Sequence, residues 1–397
     1  MKKIIFFFSQ PIDKFNYDRM YFENFKKNGF IPVYVDISQI FIKKKNYKLK
    51  FKIDKTNYQS INSCKDLFIY ILSVIKDKPY FIDFTYYKSF FFLIILNILS
   101  FFGAKKIHVS SSIVNNHHLL TSFEKLKLYI KNFEILKILL SGLNFFQNKF
   151  YLFLNPKADF VFISGSEELK KFKSYKFIFF SSSLDYNKFC NIKAKIKKNS
   201  KKTFVYLDQN LLFHKDFANT NESKFNKKNF LNFYYKLSNF FCKISEKYNC
   251  KIIFCFHPRC TEKDALFLKK FFKKKFIFFS YKTELEIQKS DLVIFNYSNS
   301  HQLGVLFEKP MIIVHDLTTK YYNYELKKKI IRTISDDLDI KIFNLNNNTE
   351  KMLISKKCNK KKYKNYISKY ISTCYPRKIQ SWEVVINTIK ALNDFRK

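Results

Sequence analysis

Two short polar segments, each placed after an apolar strand, contain the side chains best suited to bind an anion. His257 and Arg259 follow the apolar run 251–256, and Ser298-Asn299-Ser300 follows the run 291–295. Ligands of open α/β sheets bind at the carboxyl ends of strands, where a hydroxyl-rich loop that opens a helix offers backbone N–H groups to a phosphate. Imidazole and guanidinium groups at a neighbouring strand end would add charge-assisted donors. The pattern predicts a phosphate site. The alternative is that His257 and Pro258 only end a strand in a surface turn.

A third strand end places a carboxylate near the same predicted edge. Asp208 and Gln209 follow the apolar run 203–207, and His214 and Asp216 lie in the loop beyond them. Asp208 could accept a hydrogen bond from a ligand hydroxyl or could cap the next turn. His214 and Asp216 are further candidates for the same site, although a loop histidine is often only exposed to solvent.

In the first half of the chain, Asp18 and Arg19 are expected to begin the first helix, beside the strand end at Phe8. An aspartate in a first helical turn often only interacts with the helix dipole. If it faces a ligand, it could instead act as a general base on an acceptor hydroxyl. Asp36 and Asp83 also end strands. Asp18 and Asp208 are therefore the two candidate bases.

Strands and helices alternate in both halves of the chain, which predicts parallel sheets. The predicted strands are 4–8, 31–37, 79–84, 106–110, 158–164, 177–181, 203–207, 251–256, 276–280, 292–295 and 310–315. The predicted helices are 17–28, 65–75, 90–102 (buried on nearly all sides), 228–249, 262–274, 301–307 and 378–394. We expect an α/β protein with two Rossmann-like domains whose parallel sheets face a central cleft.

The domain boundaries follow from breaks in this alternation. The first domain is expected at 1–192 and the second, which would bind the nucleotide, at 203–377, with a closing helix at 378–397. The lysine-rich stretch 193–202 has no periodicity and is typical of a linker. An insert at about 119–155 has apolar residues at helical spacing between lysines. It either packs on the first domain or lies on a membrane surface as a basic amphipathic helix.

Composition excludes several classes of protein. The formal charge of +41 is spread along the whole chain, and lysine is inflated together with Phe, Asn, Ile and Tyr, so we expect no nucleic acid partner. The five glycines form neither G-x-G-x-x-G nor a P-loop. The eight cysteines include no C-x-x-C pair, so no metal site is expected.

Compartment and membrane contact are predicted from the apolar runs. The N-terminal run is too short for a secretory signal, and the longest run, 90–102, is shorter than a membrane-spanning helix requires. Free thiols fit a reducing compartment. We expect a cytoplasmic protein, with a peripheral contact at the inner membrane as the alternative use of the 119–155 insert.

Taken together, several motifs resemble the bacterial surface carbohydrate biosynthesis proteins of the GT-B class. They are YDRMYFENFKKNGFIPVYVDIS, SLDYNKF, VYLDQNLLFHKDF, IIFCFHPR and LVIFNYSNSHQLGVLFEKPMII. The His-Pro turn and the later serine loop are more distantly similar to bacterial sialyltransferases and polysialyltransferases. That resemblance implies that His257, Ser298 and Ser300 bind the phosphate and ribose of a CMP-activated sugar.

The resemblance implies a metal-independent glycosyltransferase that uses a nucleotide-sugar as substrate, without a cofactor, and a glycan or lipid-linked acceptor. The acidic pair followed by glycine that supplies the base in sialyltransferases is missing, because Gln209 follows Asp208. Two other functions stay open. One is a different enzyme on the same scaffold, such as a sugar-nucleotide epimerase or a phosphotransferase. The other is a non-catalytic component of glycan assembly.

Overall fold

The computed structural model describes most of the chain. The described residues are 2–12, 14–41, 55–85, 89–110, 150–151, 153–192, 201–213, 227–316, 324–346, 355 and 357–394. They form two compact units, of which the first contains the described residues up to 110, 150–182 and 379–394, and the second contains those between 183 and 378.

In the first unit, the described strands form a seven-stranded sheet in the order β3-β2-β1-β4-β5-β6-β7. All neighbouring strands in it are parallel. The strands are β1 Lys2–Phe8, β2 Phe30–Asp36, β3 Tyr58–Ser60, β4 Tyr80–Asp83, β5 Lys105–Val109, β6 Phe160–Ile163 and β7 Ile178–Phe180. The helices of this unit are α1 Lys14–Arg19, α2 Phe22–Lys27, α3 Ser38–Phe41, α4 Cys64–Val74, α5 Phe90–Phe101 and α6 Ser166–Phe172.

In the second unit, the described strands form a six-stranded parallel sheet in the order β10-β9-β8-β11-β12-β13. The strands are β8 Thr203–Leu207, β9 Lys251–Cys255, β10 Ile277–Ser280, β11 Leu292–Phe295, β12 Met311–His315 and β13 Ile342–Asn344. The helices are α7 Tyr186–Asn191, α8 Lys227–Tyr248, α9 Glu262–Phe271, α10 Thr283–Lys289, α11 His301–Leu306, α12 Tyr324–Leu338 and α13 Lys360–Tyr366.

Each sheet is buried on both faces, which explains why its strands are continuous apolar runs and do not alternate apolar with polar residues. In the first unit, α4 and α5 cover one face of the sheet. The last helix, α14 (Ser381–Asp394), also packs in this unit. Its Trp382 is fully buried, and the indole ring lies 5.7 Å from the ring of Phe6 and 5.6 Å from that of Phe25.

The strand order reverses once in each sheet, between β1 and β4 in the first and between β8 and β11 in the second. Connections from the two central strands leave in opposite directions at such a switch point, and a crevice opens between them at the carboxyl ends. Each crevice is the place where a ligand is expected in that unit.

The predicted fold class is confirmed: both units are α/β with parallel sheets. The predicted single helix at 17–28 is wrong, because Tyr21 adopts a left-handed conformation (φ +51°) that separates α1 from α2. As a consequence, Asp18 and Arg19 end α1 and do not begin a helix. Gly29 does lie just past the second helix with φ +80°, as a helix-ending glycine should.

The prediction that helix 90–102 is buried on nearly all sides is also wrong. Phe90, Ile94 and Phe101 lie on one exposed side of α5. Most of the predicted insert at 119–155 lies outside the described residues.

Candidate functional site

The carboxyl edge of the second sheet carries the predicted anion-binding residues. In register, Leu207 of β8 pairs with Cys255 of β9 on one side and with Phe295 of β11 on the other. Neighbouring strands lie about 4.8 Å apart, so the chain leaves β9 and β11 at points separated by roughly 10 Å, with the end of β8 between them. His257 and Ser298 therefore lie on the same edge, on either side of Asp208.

Asp208 is a buried carboxyl at the switch point. Its Oδ1 accepts a hydrogen bond from the Tyr234 hydroxyl at 2.9 Å, and its Oδ2 accepts one from the backbone N–H of Asn210 at 2.9 Å. Burial raises the pKa of Asp208 to about 6, while these donors act in the opposite direction. Because both oxygens have donors, Asp208 holds the loop after β8, in which Asn210 has φ +53°.

His257 and Arg259 form a tight turn at the end of β9. The backbone N–H of Arg259 donates to Nδ1 of His257 at 3.2 Å, and the His257 carbonyl accepts from the N–H of Cys260 at 2.8 Å. Since Nδ1 is the acceptor, the hydrogen of the neutral imidazole is on Nε2, which makes Nε2 a donor. Thr261 then caps α9 through a reciprocal pair of hydrogen bonds with Asp264.

The serine loop after β11 is held by its own short-range bonds. The N–H of Ser300 donates to Oγ of Ser298 at 3.3 Å, and the N–H of His301 donates to the Ser298 carbonyl at 3.1 Å. Helix α11 follows directly and lies close to the sheet. A Cβ built on Gly304 would lie 2.5 Å from Sδ of Met311, so glycine permits this approach.

His301 is a functional candidate that the sequence reasoning missed. It is fully buried and stacks on Phe295, with ring centroids 5.1 Å apart. Its Nδ1 lies 2.5 Å from the Ser298 carbonyl and its Nε2 lies 2.8 Å from the Tyr366 hydroxyl. Burial lowers the pKa of His301 to about 4, so the ring is neutral at pH 7.

The tautomer of His301 follows from its partners. A carbonyl oxygen only accepts, so Nδ1 carries the hydrogen and donates it to Ser298, and Nε2 accepts from Tyr366. The ring thereby ties the serine loop to α13. The signal in the sequence is a histidine directly after Ser298-Asn299-Ser300, a position where the sequence predicts only the start of a helix.

Three buried amide side chains lie in segments that follow the two central strands of the second sheet. Asn210 follows β8, Asn296 follows β11, and Gln302 lies in α11, and each is about 1% exposed. Among the described residues, Oδ1 of Asn210, Oδ1 of Asn296 and Nε2 of Gln302 have no hydrogen-bond partner. The other end of Gln302 is held, because Ser183 Oγ donates to its Oε1 at 3.1 Å.

An unpaired buried polar group typically costs about 1–3 kcal/mol. Buried groups of this kind usually have a polar partner, either another protein group or an ordered water. Asn and Gln amides can turn by 180°, so each can present a donor or an acceptor to it.

The remaining predicted residues are spread more widely. Asp18 is exposed and pairs with Lys14 at 3.2 Å, and Arg19 is half-buried, with its carbonyl accepting from Nε1 of Trp382 at 2.7 Å. Gln209 is half-buried next to Asp208. His214 and Asp216 lie outside the described residues.

At the switch point of the first sheet, Asp83 ends β4. Its Oδ1 accepts from the N–H and the hydroxyl of Thr85, at 2.8 and 2.7 Å. Burial raises the pKa of Asp83, and the charge of Lys106 opposes this. Asp36, at the end of β2, accepts from the N–H of Ser38 at 2.9 Å and from the Tyr58 hydroxyl at 3.2 Å.

The described parts of the chain contain neither a metal-binding cluster nor a membrane-spanning helix. No group of three or more His, Cys, Asp or Glu side chains there is arranged to hold a metal ion. No helix in those parts is long and apolar enough to cross a membrane.

Comparisons with known proteins identify the fold but no family. No protein-family model matches the sequence, and no curated protein matches it. Among solved structures, the chain is similar to O. sativa Os79 in complex with UDP and deoxynivalenol-3-glucoside, with a TM-score of 0.50 and 8% identity over 98% of this chain and 99% of that one.

Two bacterial structures are also similar over nearly their full lengths. S. aureus MnaA, solved with UDP, has a TM-score of 0.46 at 13% identity, and the match covers 99% of this chain and 97% of that one. Acinetobacter baumannii MurG has a TM-score of 0.46 at 9% identity, covering 98% and 100%. Of these three, only Os79 reaches a TM-score of 0.5, and at its identity it shows the fold alone. The chain thus consists of two parallel-sheet α/β units of the GT-B class.

Proposed function

We propose that this protein is a glycosyltransferase that binds a nucleotide-activated sugar at the carboxyl edge of the second sheet. It would transfer the sugar to a surface glycan or a lipid-linked acceptor without a metal ion. One observation carries the proposal: the His257 turn and the Ser298 loop follow the strands on either side of β8, at the switch-point edge where ligands of such sheets bind. Asn210 and Asn296, which follow β8 and β11, have amide oxygens without a partner among the described residues.

The proposed chemistry stabilises the leaving phosphate with fixed donors. Nε2–H of His257 and the Arg259 guanidinium would approach the phosphate from the β9 side, and the Ser298, Asn299 and Ser300 loop would hold its oxygens from the β11 side. Donors that are positioned before the reaction are often the largest single contribution to catalysis. His301 would act as a positioning residue, because it fixes the Ser298 carbonyl.

The two candidate bases differ in what must change before they could act. Asp18 is exposed and would only have to leave Lys14, in an exposed ion pair of little energetic worth. Asp208 would have to leave Tyr234 and Asn210 in a buried position. Of the two, Asp18 would need the smaller change.

A second function uses the same crevice without an acceptor. Asp208 already has a hydrogen-bond donor on each oxygen. The second unit would therefore suit three other functions equally well: a sugar-nucleotide epimerase, a phosphotransferase or a non-catalytic binding component. Product analysis separates these: a transferase releases nucleotide together with a new glycan, an epimerase converts the nucleotide-sugar, and a binding component changes nothing.

Nucleotide binding is tested by thermal unfolding of the full chain with UDP, CMP and GDP, each with its sugar conjugates. UDP is included because the similar Os79 structure contains it. A ligand at 100 times its dissociation constant stabilises a protein by about 2.7 kcal/mol, so a binding nucleotide should raise Tm measurably.

The matched variants separate the site from general charge effects. His257→Ala should lose most of the nucleotide-induced rise in Tm. Lys273→Ala removes an exposed positive charge just after α9, on the side of the sheet away from the crevice. This variant should keep the nucleotide-induced rise in Tm. If none of the nucleotides changes Tm at millimolar concentration, the proposed function is wrong.

A further inference from the structure

The outer sides of α4 and α5 in the first unit carry large apolar side chains. Phe90, Ile94 and Phe101 follow one another at helical spacing along α5, and Phe101 is 85% exposed. Phe68, Ile69 and Leu72 are exposed in the same way along α4. We call these six residues the apolar face. The opposite sides of both helices are buried against one face of the sheet, so the core of the unit is complete without them.

A groove of about 380 Å³ runs along this face beside α5, and nearly all of its lining is apolar. Phe102 and Leu154 lie at its sides. Nδ2 of Asn97 donates to the Leu154 carbonyl at 2.8 Å, which holds the segment around residue 154 against α5. That segment adds two more exposed rings, those of Phe150 and Phe153. A contiguous exposed apolar surface of this kind is typical of a protein or membrane contact.

Lysines surround the apolar face. Lys65 and Lys76 are exposed on and just after α4, and Lys157 is exposed three residues beyond Leu154. Lys78 lies at the end of α5, since a Cβ built on Gly103 would be 3.5 Å from its Cδ. The acids nearby do not cancel this charge: Asp77 pairs with Lys3 at 2.7 Å, which leaves Asp66 on α4.

From this surface we infer that the first unit docks on an anionic lipid bilayer through the apolar face. Aromatic side chains enter the boundary between headgroups and acyl chains, and lysines at the rim are attracted to anionic headgroups. A second copy of the chain is a poorer occupant. Two identical faces in contact would bring the lysines of one rim against those of the other.

Flotation of the full-length protein with lipid vesicles tests the inference and needs no nucleotide or acceptor. The protein should float with vesicles of phosphatidylglycerol and phosphatidylethanolamine and should not float with phosphatidylcholine alone. Because an anionic surface acts through charge, added salt should weaken the binding. Phe90→Ser/Phe101→Ser should reduce binding by roughly tenfold or more, because transfer of each aromatic ring from water into the bilayer boundary favours binding.

The matched control is Leu266→Ser on α9, which removes an apolar side chain that is 66% exposed in the second unit. It should bind vesicles as the unchanged protein does. Lys76→Glu/Lys157→Glu should lower binding to anionic vesicles. Circular dichroism shows whether each variant is folded.

Three outcomes would overturn the inference. Equal binding of the Phe90→Ser/Phe101→Ser variant would place the membrane contact elsewhere in the chain, for example within 111–149. Equal binding to neutral vesicles would remove the role of the lysines. A dimer that the same variant dissociates, with no flotation, would make a second copy the occupant.

Discussion

The two sheets have the same kind of reversal in strand order, but the buried polar groups at their carboxyl edges differ in how completely they are hydrogen-bonded. At the first edge, Oε2 of the buried Glu168 accepts from the Ser164 N–H at 2.9 Å, from the Ser164 hydroxyl at 3.2 Å and from the Ser110 hydroxyl. At the second edge, Asn210 and Asn296 each have a buried amide oxygen without a partner among the described residues. The first network is complete within the protein, and the second is not.

This difference shows how a parallel sheet acquires a site. The strand order creates a crevice in both units, but only groups that the protein leaves incompletely bonded can bind a ligand there. Glu168 stabilises its own unit by binding its neighbours. The amide oxygens of Asn210 and Asn296 have no partner among the described residues, and we propose that a ligand binds there.

The largest expected effect is on catalysis at the second edge. If His257 donates to the leaving phosphate, His257→Ala should lower turnover by roughly 10²-fold or more, as the loss of a fixed donor does in other enzymes. Lys273→Ala is the control for charge. Turnover is measured with the nucleotide-sugar that gives the largest rise in Tm. If the His257→Ala variant has near-normal turnover, the second edge contributes no more to catalysis than the first edge does.

The next effect compares pH dependence in the two units. The pKa of Asp208 is raised from 3.8 to about 6, so between pH 4 and 6 the folded state keeps a proton that the unfolded state has released. Stability should fall by about 3 kcal/mol from this group as pH rises through that range. Asp208→Asn should lack this fall, as measured by urea unfolding at several pH values.

His108 in β5 of the first unit should act in the opposite direction. Burial, with the charges of Lys106 and Lys171, lowers the pKa of His108 to about 4, so between pH 4 and 6.5 it is the unfolded state that binds the extra proton. Stability from this group should rise with pH by about 3 kcal/mol. His108→Gln should remove that rise. If both variants change the pH dependence of stability in the same direction, the prediction that burial acts oppositely on Asp208 and His108 is wrong.

The smallest effect tests the completeness of each network directly. Glu168→Leu takes the acceptor from the Ser164 N–H, so the free energy of unfolding should fall by about 1–3 kcal/mol. Asn296→Leu removes an amide of similar size whose oxygen has no partner among the described residues, so unfolding without ligand should be unchanged or slightly harder. The same variant should lose part of the nucleotide-induced rise in Tm. If Asn296→Leu destabilises the protein as much as Glu168→Leu does, the second edge is as complete as the first.

Much of the fold could be predicted because its signals are local. The apolar runs 203–207 and 292–295 match β8 and β11 residue for residue, and the strand ends at Asp208, His257 and Ser298 were visible as abrupt changes from apolar to polar. The prediction missed two strands, β3 and β13, and six helices, α3, α6, α7, α10, α12 and α13. The break at Tyr21 was missed as well, because a left-handed tyrosine has no signal in sequence.

The candidate site was predicted in its parts and not in its arrangement. Asp208 was a candidate base by its residue type, but burial and the donors Tyr234 and Asn210 give it a structural role. His301 was unremarked because its partner Tyr366 lies 65 positions away in the chain. The sequence analysis did not name the three amides of Asn210, Asn296 and Gln302. Whether an amide atom has a hydrogen-bond partner depends on the residues that surround it in the folded chain.

The sequence by itself determined the alternation of elements, the parallel sheets that follow from it and the identity of the groups at each strand end. Periodicity and residue type are local properties, so they can be read without coordinates. Only the tertiary structure decided that β8 lies between β9 and β11, that Asp208 is enclosed and that the outer side of α5 is uncovered. Strand order, burial and hydrogen-bond partners depend on residues distant in the chain, and these decide which polar groups remain available for a ligand.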